Sequence, residues 1–278
     1  MAGGRKRRER GIGERILTVF GDLKVFPHPM FLVYDPKSYA VRAEEIRFLL
    51  DCIEPGDILV RGYRNYLDGY FIPGYFTHVG LYVGDIDEAD RDVVENEEGL
   101  GAFRPGPQRV VHAMAEGVFM EDLLQFVRCD SLCVLRLPEW VEGRAATGPL
   151  ARGRRGSAEP AFDSDEEAIF EALSTGGKVH RSRIVPVLRR RALSRLGTDY
   201  DFDFDFADSR TLSCTELVHF AMRCLAPFHG LAPEPRTVLG LLTRTILEPD
   251  RFLQVPGLER VMATRAIPRD IRRAYDLP

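Results

Sequence analysis

Phe76-Thr-His-Val-Gly-Leu-Tyr-Val-Gly84 alternates along its length, with Val79, Leu81 and Val83 on one side and His78, Gly80 and Tyr82 on the other. That two-residue period is the pattern of a packed β-strand. Far downstream the chain reads Leu212-Ser-Cys-Thr-Glu-Leu-Val-His-Phe-Ala-Met-Arg-Cys224, and Leu217, Val218, Ala221 and Leu225 fall on the helical stripe of Cys214. Asp208, Ser209, Thr211 and Ser213 are all capping types, so the helix is expected to start within a few residues of that thiol. If the face bearing His78 meets the cysteine helix, Gly80 leaves room for close packing.

Working outward, Glu54-Pro-Gly-Asp-Ile-Leu-Val60 reads as a turn and a short strand, and Arg109 to Ala113 and Ser131 to Leu137 as two more strands. Val41 to Cys52 has helical spacing in Ile46, Leu49, Leu50 and Ile53; Asp165 to Leu173 and Ile184 to Leu196 are also expected to be helical, with Gly197 as a stop. Gly69 to Tyr75, with Pro73 and several aromatics, reads as a loop over a surface or cleft, and the polar stretch 85–107 as a loop hanging off a hairpin. The segment 139–165, rich in glycine, proline and arginine, is expected to be a disordered insertion. Thr198 to Phe206 alternates acidic and aromatic residues and reads as an exposed-face strand or an extended lead-in to the cysteine helix. Strands and helices are thus both expected along the chain. A flexible basic tail (1–14) and an N-terminal extension (15–53) precede one domain over 54–278.

Composition narrows the functional classes. The 278 residues carry 38 Lys and Arg against 42 Asp and Glu, a net charge of −4, so there is no global bias toward nucleic acid. The basic run Arg5 to Arg10 and the acidic run Asp85 to Glu98 read as solvated tail and loop. Five cysteines, an odd number without regular spacing, point to free thiols, and Cys129 with Cys133 lacks the second ligand pair of a zinc site. Ile16 to Phe20 is too short for a secretory core, and no run approaches the ~20 apolar residues that span a bilayer. A cytoplasmic location is expected, with no transmembrane segment.

A thiol becomes a nucleophile when its pKa is lowered, and a helix N-terminus and a cationic imidazole both do this. Cys214 has the first, and His78 could supply the second as half of a thiolate–imidazolium pair. An orienting partner for His78 is offered by Arg109-Val-Val-His-Ala-Met-Ala-Glu-Gly117, as His112 on the following strand or as Glu116, the ordinary carboxylate choice. Glu216 lies about 200° round the helix from Cys214, so it should point away from the sulfur and favour the helix N-terminus. An inert buried thiol and structural histidines account for the same residues without chemistry.

Pro55-Gly-Asp-Ile-Leu-Val60, Thr77-His-Val-Gly-Leu-Tyr-Val-Gly84, Val110-Val-His-Ala113 and then Ser213-Cys-Thr-Glu-Leu-Val218 resemble the circularly permuted branch of the NlpC-type papain-like cysteine hydrolases. Within it the chain is most similar to the YiiX-like group, over residues 54 to 265, including Glu248-Pro-Asp-Arg-Phe-Leu253. The resemblance implies an α+β, permuted papain-like fold, a small antiparallel sheet packed on helices with the nucleophile at a helix N-terminus, with Cys214 as nucleophile, His78 as general base and His112 as the third polar residue. It assigns Tyr200 an oxyanion or substrate-positioning role and requires no metal or organic cofactor. The implied reaction cleaves an amide or ester through a thioester acyl-enzyme, with the Cys214 N–H among the oxyanion donors. Substrates would be a cell-wall-type peptide fragment or an acylated small molecule. A second expectation is lecithin-retinol acyltransferase-like acyl transfer or phospholipase action, with Tyr63, Tyr66, Tyr70, Phe71, Tyr75 and Phe76 as a lipid-binding mouth and peripheral membrane contact. A third is a non-catalytic binding module on the same scaffold.

Overall fold

Pro55, Gly56 and Asp57 turn the chain into a strand that pairs with the strand opened by His78, and these two form the centre of a six-stranded antiparallel sheet. The computed structural model describes residues 23–27, 30–34, 40–63, 74–144, 160–203, 206, 210–238 and 242–278. In chain order these form β1 (Leu23–Pro27), β2 (Met30–Tyr34), α1 (Ala43–Cys52), β3 (Ile58–Gly62) and β4 (His78–Ile86). Next come α2 (Glu97–Ala102), β5 (Gly106–Met114), β6 (Gly117–Asp122), α3 (Leu123–Phe126), β7 (Ser131–Arg136) and β8 (Trp140–Glu142). There follow α4 (Ser164–Ser174), β9 (Lys178–His180), α5 (Arg181–Ser194), α6 (Cys214–Ala221), α7 (Ala226–His229), β10 (Glu234–Val238) and β11 (Leu242–Ile246). The chain closes with α8 (Asp250–Leu253), β12 (Glu259–Ala263) and α9 (Arg269–Ala274).

The main sheet runs β12-β7-β3-β4-β5-β6, every neighbouring pair antiparallel. Each strand has a side chain period of two, so the sheet has two apolar faces and each builds its own core. Val60, Val79, Leu81, Val111 and Cys133 pack with Ile184, Val187 and Leu188 of α5 and with Leu217, Val218 and Ala221 of α6. On the reverse face Leu59, Tyr82, Val110, Leu132 and Val134 pack with Leu49 of α1 and Leu123 and Phe126 of α3. Burial of each such side chain contributes about 1.5–3 kcal/mol, which is why both layers hold.

This division corrects one expectation. The cysteine helix α6 lies against the Val79, Leu81 and Val83 side of β4, and Gly80 makes its close approach on the other side. A Cβ on Gly80 would stand 2.9 Å from the Phe126 ring and 3.0 Å from Val110 Cγ1. Room at residue 80 therefore serves α3.

Two segments depart from their expected form. The stretch 85–107 holds a 3-10 turn (Glu88–Val93) and α2, with Phe103 buried and Asp90 paired to Arg189 of α5. Its polar composition reflects one-sided packing. Both ends of the expected insertion 139–165 are also built in. Trp140–Glu142 pairs with Lys178–His180, Val141 is fully buried, and Arg223 donates to the carbonyls of Pro160 and Ala161. Residues 145–159, the tail 1–14, Tyr66, Tyr70 and Phe71 lie outside the described residues. Thr198 to Phe206 forms no strand among the described residues; Asp199 bridges Thr211 as a lead-in to α6. No helix among the described residues is long and apolar enough to cross a membrane.

Candidate active site

Pairing register lines up four side chains on one face of the sheet. Arg61 of β3 stands opposite His78 of β4, Gly80 opposite His112 of β5, and Val110 opposite Glu121 of β6. Directly paired residues share a face, so Arg61, His78, His112 and Glu121 project together toward Phe126. His78 Nε2 lies 3.0 Å from His112 Nδ1, and His112 Nε2 lies 3.2 Å from Glu121 Oε2, a close approach without the alignment of a hydrogen bond. Phe126 packs against both imidazoles, at 5.8 Å from His78 and 5.1 Å from His112 between ring centroids, while Phe119 lies 4.5 Å from His112.

The carboxylate in this row is Glu121. Glu116, the alternative raised by the sequence, is exposed in the two-residue turn between Met114 and Gly117. The sequence reading missed β6 altogether, yet Glu116-Gly117 before Val118-Phe-Met120 is a hairpin signal that could have located it. A carboxylate only accepts hydrogen bonds, so Glu121 assigns the proton of His112 to Nε2. His112 Nδ1 is then an acceptor, His78 Nε2 must donate to it, and the Nδ1 of His78 keeps a free lone pair. The three residues thus form a row in which His78 Nδ1 carries no proton.

Cys214 opens α6. Ser213 caps the helix: its hydroxyl accepts from the Glu216 N–H at 3.4 Å, and the Glu216 carboxylate accepts from the Ser213 N–H at 2.7 Å. Glu216 also accepts from the Phe206 N–H at 2.9 Å, so it serves the helix start as the sequence suggested, from a buried position. Burial and the neighbouring Asp201 carboxylate push its pKa up to about 8.

The sulfur is buried and takes backbone hydrogen bonding from Val79 and from Thr215. The Val79 nitrogen belongs to the peptide that joins it to His78, so thiol and relay flank the same first peptide of β4. Among the described contacts no hydrogen bond joins the sulfur to an imidazole. Thr77, one residue earlier, has a buried hydroxyl with no hydrogen-bond partner. Tyr200 lies 4.9 Å from Phe202 between ring centroids and packs on the core cluster that includes Cys214.

The protonation states differ from the expected ion pair. Burial pushes the Cys214 thiol up to about 11, against the opposing pull of the two backbone groups and of Arg61. Burial lowers His112 to about 4, with Glu121 resisting and Arg61 assisting. His78 is held well below the usual imidazole range by burial, then by Arg61 and His112. The resting site therefore holds a neutral thiol beside neutral imidazoles, because desolvation outweighs the helix N-terminus.

The aromatic loop enters the site as structure. Asp250 of α8 accepts from the backbone N–H of Tyr75 at 2.9 Å and of Phe76 at 2.8 Å, and from the Tyr275 hydroxyl at 2.7 Å. Phe76 is core, and the Tyr75 hydroxyl is 2.6 Å from Ser131 Oγ, so these two rings are packed rather than open as a mouth. Tyr63 lies beside Arg61, 5.3 Å from ring centroid to guanidinium. Among the described residues no group of three or more His, Cys, Asp or Glu side chains is placed to hold a metal ion.

No family model matches the chain and no curated protein matches it. Among solved structures, it is similar to the crystal structure of metalloprotein yiiX from Escherichia coli O157:H7. The two share 14% identity with a TM-score of 0.41, over 76% of this chain and 97% of that one.

Proposed function

We propose that the chain is a cysteine hydrolase of permuted papain-like architecture that cleaves an amide or ester through a thioester acyl-enzyme. The observation that carries this reading is the Glu121–His112–His78 relay, which ends at the same strand-opening peptide that hydrogen-bonds the Cys214 sulfur. Cys214 is the nucleophile, His78 the general base, and His112 with Glu121 holds His78 in the tautomer with a free Nδ1.

Because thiol and imidazole rest neutral, proton transfer accompanies attack. The S–H proton passes to His78 Nδ1 while sulfur bonds the acyl carbon and the carbonyl electron pair moves onto oxygen. Backbone N–H groups at the start of α6 and the unpartnered Thr77 hydroxyl are available to that oxygen. The tetrahedral adduct collapses, the leaving amine or alcohol takes the proton back from His78, and water resolves the thioester by the reverse sequence. The His78 ring and the helix that carries the sulfur lie on opposite faces of β4, so this step requires the first residue of the strand to swing its imidazole round the strand end toward the sulfur when substrate binds. Peptide fragments or acylated small molecules suit this chemistry. A non-catalytic module is the second reading, favoured by the burial and raised pKa of Cys214.

An activated acyl ester, p-nitrophenyl butyrate, tests the assignment by intact-protein and peptide mass spectrometry. The expected result is an acyl adduct on Cys214 that builds up at neutral pH and falls by about 10²- to 10⁴-fold in rate in His78→Ala. Acylation of Cys214 no faster than that of Cys133 or Cys224, or unaffected by His78→Ala, would reject it.

A further inference from the structure

Arg61 is a buried guanidinium at the centre of the histidine face, where nothing in the reaction just described uses it. It is 3% exposed, stands opposite His78 in the β3–β4 pairing, and its Nη1 donates to the Phe126 carbonyl at 2.7 Å. The guanidinium lies 4.1 Å from the centroid of the Phe126 ring, the ring that also packs on both imidazoles. Its Nη1 is 3.9 Å from Glu121 Oε2, too far for a tight pair, and its Nε has no hydrogen-bond partner. A buried cation is costly unless paired, and here the carboxylate that would pair it is shared with His112.

We propose that Arg61 is the positioning residue that fixes the protonation state of the Glu121–His112–His78 relay and so reserves the free lone pair of His78 for the thiol. A fixed positive charge against this face opposes the arrival of a second one on either imidazole and keeps Glu121 ionised as the acceptor that orients His112. Among the described residues, Cys129 and the buried Asp130 lie toward the Arg61 end of this face. β3 brings Arg61, β5 and β6 bring His112 and Glu121, Arg128 after α3 adds a second and weaker pull on Glu121, and α6 brings Cys214. Without Arg61, the nearest remaining charge to His112 is Glu121, which favours an imidazolium. A protonated His112 would donate from Nδ1 to His78 Nε2. The proton of His78 would move to Nδ1, and the base would be blocked.

The proposal deepens the reading of the site given above and rests on it only for the activity readout. NMR of selectively ¹³C-labelled histidines in the full chain, assigned through His78→Gln and His112→Gln, follows each imidazole between about pH 5.5 and about 8. In the unaltered protein neither His78 nor His112 should titrate in that window. In Arg61→Met, His112 should titrate there, a rise of at least about 1.5 pH units from its value of about 4, and Arg61→Lys should restore the silent pattern. The rate of Cys214 acylation at about pH 5.5 should fall at least about twofold in Arg61→Met and recover in Arg61→Lys.

Titration of either imidazole in the unaltered protein, or silence of both in folded Arg61→Met, would overturn the proposal. The first measurement stands even where Arg61→Met does not fold. The expected titration pattern in a protein that acylates nowhere would reject the hydrolase reading and leave the role of Arg61 in place.

Discussion

At Cys214 the helix N-terminus and the low-dielectric core act on the thiol in opposite directions, and the core prevails. Alkylation by iodoacetamide without substrate should therefore be slow at neutral pH and rise about tenfold per unit toward about pH 11, since only the thiolate reacts. A plateau beginning near pH 7 would mean that the ion pair expected from the sequence exists after all. Cys214→Ser is nearly isosteric, so it should remove acylation and leave the fold intact. Cys214, His78 and His112 were all legible in the sequence because each lies in a run with a clear period. Glu121 and Arg61 were not, since their importance comes from cross-strand register, which no local pattern encodes.

Among the elements, α6 keeps its start through the Ser213–Glu216 capping box, legible as Ser followed three residues later by Glu. The helices behind it depend on a buried ionic knot that the sequence did not suggest. Glu166 of α4 is fully buried between Arg191 of α5 and Arg223 beyond α6, with Arg223 Nε at 3.0 Å. Glu166→Ala would strand two guanidiniums and should cost about 3–5 kcal/mol in urea unfolding. A loss below about 1 kcal/mol would show that Asp163, Glu95 and the Pro160 and Ala161 carbonyls suffice for those arginines. The described ends of the segment 139–165 hold structure that the sequence did not suggest, because glycine and proline mask short elements whose apolar content is a single residue, such as Val141 in the β8–β9 pair.

At the scale of the whole molecule, two kinds of buried group act on stability with opposite sign. His229 is lowered to about 3 and His112 to about 4, and His78 and His219 are lowered as well, in each case first by burial. The unfolded chain binds protons at these sites from about pH 6.5 downward, so the stability they confer is full above that value and lost as pH falls. Glu216 is raised to about 8, so the folded state holds its proton more tightly than the unfolded chain, and stability declines as pH rises toward 8. Four imidazoles outweigh one carboxyl below about pH 6.5, and only the carboxyl titrates above it. Thermal unfolding should show its highest midpoint near pH 6.5, and Glu216→Gln, which keeps one of the two oxygens that accept backbone N–H groups, should lower the midpoint throughout but flatten its fall on the alkaline side. A midpoint rising steadily to pH 8 in the unaltered protein would contradict this balance.

The sequence by itself determined the central strands and the helix that begins at Cys214, because periodicity and capping are local properties. Only the tertiary structure decided which face of β4 receives the cysteine helix, that Glu121 rather than Glu116 completes the relay, and that Arg61 stands over it. It also decided the charge state of the site, since desolvation depends on everything packed around a group and on nothing written beside it in the chain.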